Sequence, residues 1–265
     1  MSGLSLVLGS AGPVSAQLSS VVETNTATQK ETGFEDGNIT PFWTCTTQSP
    51  NYGRAATYNG ARAMQFYWTQ VGYDGTRMDR GAEACSDLKV YKEGWYGFKF
   101  LLPSSGYPRD KSAVIAQIFG NGGCSSWAGT LQVKSNELWV DHRGACASAT
   151  STRLDTNIAR DAWRSVIIHY VVSKANAGRV EVWYNGAGKS TPTYRATNIN
   201  FASWGTYDGD SLAKIAGNHI GLKFGMYCYD DGHYTTGENR TMYYDNVSQL
   251  DGNPSNAFDL VNPNG

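Results

Sequence analysis

Charge is scarce in this chain of 265 residues: Asp, Glu, Lys and Arg make up only 17% and balance to a net −1 at pH 7. Such a chain has no general pull towards nucleic acid or anionic membranes, so a polyanionic ligand would have to meet a local cluster of Arg and Lys. Past the N-terminal segment, no apolar run approaches the length of a membrane span. Helical periodicity beyond two turns is almost absent, which argues against a coiled coil. No internal repeat and no break in composition marks a second domain. Cysteine and histidine are few, and nowhere do they take the close spacing of a zinc site.

What the chain has in quantity is glycine and aromatics: 30 Gly, 16 Tyr and 8 Trp. That profile suits a turn-rich β protein carrying aromatic platforms for sugars, and argues against long disorder. At this length a single all-β domain with a substantial core is ordinary. Short β-like segments follow one another: Arg62 to Thr69, Trp95 to Leu101, Ala113 to Phe119, Trp163 to Val172, Arg179 to Tyr184 with its Asn185-Gly186 turn, His219 to Tyr229, and Arg240 to Leu250. Gly, Asn, Asp and Pro separate them, which predicts a two-sheet antiparallel sandwich or jelly roll. Thr130 to Val133 and Leu138 to Asp141 read as a hairpin around Lys134 to Glu137, with Val133 facing Leu138.

The N-terminus reads as secretory. Leu4 to Val14 is apolar and small, and Val14-Ser15-Ala16 has the spacing of a signal-peptidase site, although no basic stretch precedes it. The expected organisation is a signal peptide over 1–16, a flexible polar segment over 17–33 and one domain over 34–265. A secreted, glycosylated, monomeric protein is expected, with sequons at Asn38-Ile39-Thr40, Asn239-Arg240-Thr241 and Asn246-Val247-Ser248. The hairpin register carried outward sets Cys124 beside Cys146, so these two are expected to pair. Cys45–Cys85 follows by elimination, leaving Cys228 as a small buried hydrophobe.

One strand draws the attention. In Leu222 to Tyr229, alternation puts Leu222, Phe224, Met226 and Cys228 on one apolar face and Lys223, Gly225, Tyr227 and Tyr229 on the other. The second face reads either as the wet side of an amphipathic strand or as part of a sugar-binding groove. Gln117 interrupts the apolar run Ala113 to Phe119 and is either a structural amide or a donor aimed into that groove. Arg77 and Arg80, in the charged run Arg77 to Glu83, read either as a solvated loop or as guanidinium forks for carboxylates. His142 shares a face with Leu138 and Val140, and Arg143 shares one with Trp139. His169 reads as a hydrogen-bonded core histidine, and His219 and His233 as surface or loop residues.

These stretches carry a resemblance. Ala116-Gln117-Ile118 before a Gly-rich loop, with Leu222-Lys223-Phe224-Gly225-Met226-Tyr227 near the C-terminus, resembles the jelly-roll polysaccharide lyases. In the alginate lyases of that group the counterparts are Gln-Ile-His and Tyr-Phe-Lys-Ala-Gly-Val-Tyr. The wider pattern from Phe34-Glu35-Asp36-Gly37 through Trp95-Tyr96-Gly97-Phe98 to Tyr243-Tyr244-Asp245-Asn246-Val247 is most similar to the glucuronan lyases, relatives of the heparin lyase I-like proteins. It covers residues 34–250 and implies an all-β jelly roll with a concave groove for an anionic polysaccharide.

The resemblance also implies β-elimination at a uronate, giving 4,5-unsaturated products. The C6 carboxylate must be neutralised, C5 deprotonated and O4 protonated. Gln117, with Arg80 and Arg77, is implied as the neutralising set and Tyr227 as the proton-transfer group. Lys223 lies roughly 13 Å from Tyr227 along the strand, so it, Tyr229 and Arg143 are expected as substrate contacts. Where alginate lyases carry His after Gln-Ile, this chain has Phe119. That departure favours glucuronan or polymannuronate, whose C5 proton and O4 share a face, unless His142 replaces the base from another strand. A structural calcium ion is implied at Glu35 and Asp245, with carbonyls near Asn59 and Gly60 completing its shell. Two other classes compete: a non-catalytic carbohydrate-binding module, and a retaining β-glucanase, which needs a Glu-x-Asp-x-x-Glu stretch that this chain lacks.

Overall fold

The computed structural model describes residues 28–31, 34–76, 78–86, 88, 90, 92–120, 126–144, 147–202, 220–229 and 234–265. The expected Cys124–Cys146 bridge, Arg77, His219 and His233 lie outside them. The strands are β1 (Thr28–Glu31), β2 (Trp43–Thr47), β3 (Tyr52–Tyr58), β4 (Ala61–Thr69), β5 (Gly81–Cys85), β6 (Glu93–Leu101), β7 (Ala113–Gly120) and β8 (Trp127–Lys134). They continue as β9 (Glu137–His142), β10 (Thr150–Asp155), β11 (Arg164–Val171), β12 (Ser173–Tyr184), β13 (Tyr194–Phe201), β14 (Ile220–Tyr227) and β15 (Asn239–Asp251). One short helix, α1 (Ala257–Val261), follows, and a 3₁₀ turn at Met78–Arg80 precedes β5.

The strands form the expected all-β, two-sheet antiparallel sandwich of jelly-roll type. One sheet runs β13-β12-β11-β6-β15-β4-β3, with β1 also on β15; the other runs β10-β9-β8-β7-β14-β5-β2. Their inner faces close on one another through Phe66, Phe98, Phe100, Tyr170 and Tyr244 from the first sheet. Leu222, Phe224, Met226, Leu131 and Val140 answer from the second. The apolar face predicted for Leu222 to Cys228 is therefore the floor of the core. Cys228 is buried in the core as expected, and Cys45 pairs with Cys85 between β2 and β5 at a Cα separation of 5.8 Å. The predicted hairpin has Val133 opposite Leu138 and turns on Ser135 and Asn136, both at positive φ.

Two expectations change. Residues 28–31, assigned to the flexible segment, form β1 against Val247 to Leu250 of β15. A polar sequence can do this because the ladder uses main-chain groups, and β1 continues the edge of β15 that β4 leaves beyond Tyr244. The sequons are also unequal. Asn38 and Asn239 are exposed, but Asn246 is half-buried at a positive φ, and its amide donates to the Pro263 carbonyl at 2.9 Å. His169 is buried as expected, though on the outer side of the first sheet. Its ring nitrogens lie 2.8 Å from Glu181 and from Glu93, and the ring stacks on Trp95. Beside it, Trp95, Ile167, Trp183 and Leu250 are covered by Ala257, Phe258 and Val261 of α1.

A buried ion cluster ties β15 to the loop before β7. Arg240, with no exposure, bonds Glu238 at 2.6 Å and the Ser112 carbonyl, and Lys111 lies 3.2 Å from Glu238. Burial alone would raise the Glu238 pKa, but the Thr235 N–H, Arg240 and Lys111 together hold it below its ordinary value. A depressed carboxyl adds stability above its unfolded pKa, about 4.3, and that stability is lost as pH falls through the lower folded value. Glu238→Ala strands a buried guanidinium and is expected to cost about 3–5 kcal/mol in denaturant unfolding. Glu238→Gln should narrow its deficit to wild type as pH falls from neutral to below the carboxylate range; a constant deficit would contradict the assignment.

Candidate active site

The outer face of the seven-stranded sheet carries a cleft of about 470 Å³, lined among others by Glu83, Val114, Gln117, Trp127, Thr130, Gln132, Tyr227 and Tyr229. Strand register sets these in rows. Tyr227 lies opposite Val114, which is opposite Gln132, then Trp139 and Arg153. Lys223 lies opposite Gln117, then Thr130, Asp141 and Ser151.

Simple alternation would not bring Gln117 and Val114 to the same face, because they are three residues apart. The ladder supplies the shift. Between Val114 and Ala116, β7 gains a residue over β8, so Ile115 and Ala116 both point into the core. Between Phe224 and Tyr227, β14 gains a residue over β7, at Gly225, whose φ is +120°. A side chain at Gly225 would run into the Ala82 carbonyl and the Phe66 ring. Beneath both irregularities sits Tyr244 of β15, whose hydroxyl donates to the Ile115 carbonyl at 2.5 Å and lies 3.2 Å from that of Gly225. Burial drives its pKa well up, keeping it a donor.

Of the residues foreseen from sequence, the cleft brings together Gln117, Tyr227 and Tyr229. The Tyr229 hydroxyl donates to Gln132 Oε1 at 2.7 Å, across β7. Lys223 is on the same face but folded down: its ammonium lies 3.8 Å from the Phe119 ring centroid and 3.3 Å from Thr46 Oγ1. Arg143 reaches the rim indirectly, with its guanidinium 3.5 Å over the ring of Trp127. Arg80 turns away from the lining, donating to the Tyr73 hydroxyl at 3.0 Å and to the Gly75 carbonyl. His142 is not in the cleft. As the strand pattern required, it faces the other sheet, where Nε2 lies 2.7 Å from the Tyr194 hydroxyl of β13. Burial lowers its pKa against the opposing pull of Asp141. An imidazole on the inner face cannot reach a polymer on the outer one, which corrects its inclusion among the catalytic candidates.

Sequence reading missed Glu83, Trp127, Thr130 and Gln132 as groove residues. The alternation of Thr130 and Gln132 with Leu131 and Val133 held the signal for those two. Glu83 gave none, since its charged run reads as a loop while it lies in β5, buried, accepting from Gln117 Nε2 at 2.6 Å. Asp141 is also buried, bonded by Gln132 and Ser151 and paired with Lys134 at 3.2 Å.

Away from the cleft, Asp245 is half-buried on β15 opposite Lys99. Burial raises its pKa; the Asn246 N–H and Lys99 oppose this, and the neighbouring negative charge of Glu35 adds to it. The two carboxyls foreseen for a metal are thus within electrostatic reach. Among the described residues no group of three or more His, Cys, Asp or Glu is poised around a metal position.

Residues 25–248 match the sequence model of a family described as polysaccharide lyase. No curated protein matches the chain. Among solved structures, an endo-β-1,4-glucuronan lyase from the fungus Trichoderma reesei superposes with a TM-score of 0.66 at 18% identity, over 89% of this chain and 98% of that one. A marine alginate lyase from Aplysia kurodai gives 0.55 at 11%, over 85% and 98%, and an alginate lyase from a Chlorella virus 0.54 at 11%, over 76% and 89%. These likenesses are likenesses of fold.

Tyr244→Phe keeps the ring packing and removes the hydroxyl under both bulges. It should fold, lose about 1–3 kcal/mol for the abandoned carbonyls, and show chemical-shift or exchange changes concentrated at Ile115 and Gly225. A stability equal to wild type would show that the bulges hold themselves.

Proposed function

The chain belongs to the polysaccharide lyase family, and on that premise we propose that it is a secreted enzyme cleaving a β-1,4-linked polyuronate, glucuronan foremost, by β-elimination. The observation that carries this is the convergence of Gln117 and Tyr227, from different strands, in one cleft on the outer face of the sheet. Gln117 presents an amide for the uronate C6 carboxylate, and Tyr227 presents a phenol for proton transfer. In the reaction the C5–H and C4–O4 bonds break, the C4–C5 double bond forms, and the C5 proton leaves through Tyr227, which also protonates O4. Charge that develops on the carboxylate is met by a donor already in place in the cleft, the Gln117 amide.

Substrate choice rests on Phe119. Its ring occupies the position after Gln117-Ile118 and is capped by the Lys223 ammonium, and His142 is on the inner face. With phenylalanine at 119 and the His142 imidazole turned inward, the cleft lining among the described residues suits a C5 proton and O4 on one side of the sugar, as in glucuronate and mannuronate. The likeness to a solved glucuronan lyase supports the first, and polymannuronate is the second reading. Export is supported by the Cys45–Cys85 bridge, which suits an oxidising compartment.

The test is a panel of glucuronan, polymannuronate, polyguluronate and heparin, followed by ultraviolet absorbance of the unsaturated product. Glucuronan should give the fastest rise, and Tyr227→Phe should cut kcat about 10²-fold or more. A folded protein silent on all four, yet retained by a polyuronate column, would be a binding module instead. Full activity in Tyr227→Phe would remove that residue from the mechanism.

A calcium ion held by Glu35 and Asp245 belongs to the same proposal. The Glu35 charge adds to the cost of ionising Asp245, an arrangement that suits a divalent cation, which would clamp the N-terminal segment to β15; main-chain oxygens would have to complete its six to eight ligands. Calcium at about a hundredfold excess over Kd should add about 2.7 kcal/mol to unfolding, and Asp245→Asn should abolish the increment. An unfolding temperature identical with calcium and with chelator would eliminate this site.

A further inference from the structure

We propose that Glu83 is a positioning residue for the elimination, fixing which end of the Gln117 amide faces the uronate. The inference deepens the lyase reading and rests on it. Glu83 is on β5 and Gln117 on β7, with β14 between them, so two side chains two strands apart must meet across an intervening strand. They do so over the stretch of β14 where Gly225 lies opposite Glu83 and Lys223 opposite Gln117, with the Lys223 ammonium folded away onto Phe119 and Thr46. Both groups are almost fully buried, 2% and 7% exposed, and both line the cleft. The 2.6 Å contact is therefore part of the cleft floor and not a surface pair.

A primary amide on a groove floor has two orientations of equal shape, one offering N–H and the other oxygen. An ionised carboxylate can only accept, so it bonds one orientation and rejects the other. Glu83 thus takes one Gln117 N–H and leaves the second N–H and the carbonyl oxygen in a set geometry. That second N–H is the donor available to the C6 carboxylate of a bound uronate. Without Glu83 nothing selects that orientation, and the amide oxygen turned towards the substrate opposes an acceptor to the uronate's own acceptor. Proton transfer stays with Tyr227; Glu83 acts through Gln117 alone.

The experiment is a double-mutant cycle on the full chain, with glucuronan as substrate and absorbance of the unsaturated product as readout. Gln117→Ala, Glu83→Ala and the double variant are compared with wild type, each checked for folding by circular dichroism. Glu83→Ala should lower kcat tenfold or more. The double variant should be no worse than Gln117→Ala within about twofold, because a residue acting only through Gln117 has nothing left to do once the amide is gone. Losses that multiply would overturn the proposal. If Glu83→Ala does not fold, isosteric Glu83→Gln decides by pH: wild-type kcat should drop on the acid side as the carboxylate takes up a proton, and the variant should lack that limb. Identical acid limbs would overturn it as well. A wild-type protein inactive on all four polymers would instead defeat the lyase reading.

Discussion

The cleft depends on a hydroxyl that is not in it. Tyr244 stands in the core on the opposite sheet, and its O–H meets the carbonyls of Ile115 and Gly225 where both cleft strands carry an extra residue. Buried carbonyls without a donor are costly, and a bulge creates such carbonyls by breaking the ladder. Tyr244 answers both from beneath. Regular strands would leave Val114 and Gln117 on opposite faces, and Tyr227 would fall out of line with the amide. The site is thus a product of two irregularities that the sandwich core holds in place.

Electrostatics on this face are mostly internal. Lys223 rests on Phe119, Lys134 pairs with Asp141, Arg153 with Glu137, and Arg143 covers Trp127. Among the described residues the groove is therefore a mosaic of engaged charges and amides. On the proposed function, a polyuronate would be met here through hydrogen bonds and ring faces, and through exchange of ion partners. This agrees with the near-neutral net charge of the chain.

Much of the architecture was legible because strands with one face buried alternate strictly. Alternation gives the buried face of Leu222 to Cys228, Cys228 included, and the turn between Val133 and Leu138 gives the register of the hairpin. The strands that sequence did not show are those with weak apolar pattern: β1, β2, β3, β10 and β13 have few apolar residues, and β5 is only five residues with a glutamate buried among alanines. Within the site, Gln117 was conspicuous as one polar group in an apolar run. Glu83 was invisible because its partner lies two strands away, a relation that only sheet order creates. His142 shows the converse: alternation assigned its face correctly, and chemistry suggested a role that the face does not permit.

Four of the eight tryptophans divide by side of the sandwich. Trp127 and Trp139 belong to the cleft face, whereas Trp95 and Trp183 stack together under α1 on the far side, with the His169 ring against Trp95. Their difference in burial is a difference in reach: a polymer lying in the cleft meets the half-buried Trp127 and Trp139 and leaves the buried Trp95 and Trp183 untouched. Among these four of the eight indoles, the change in emission on loading belongs to the cleft face.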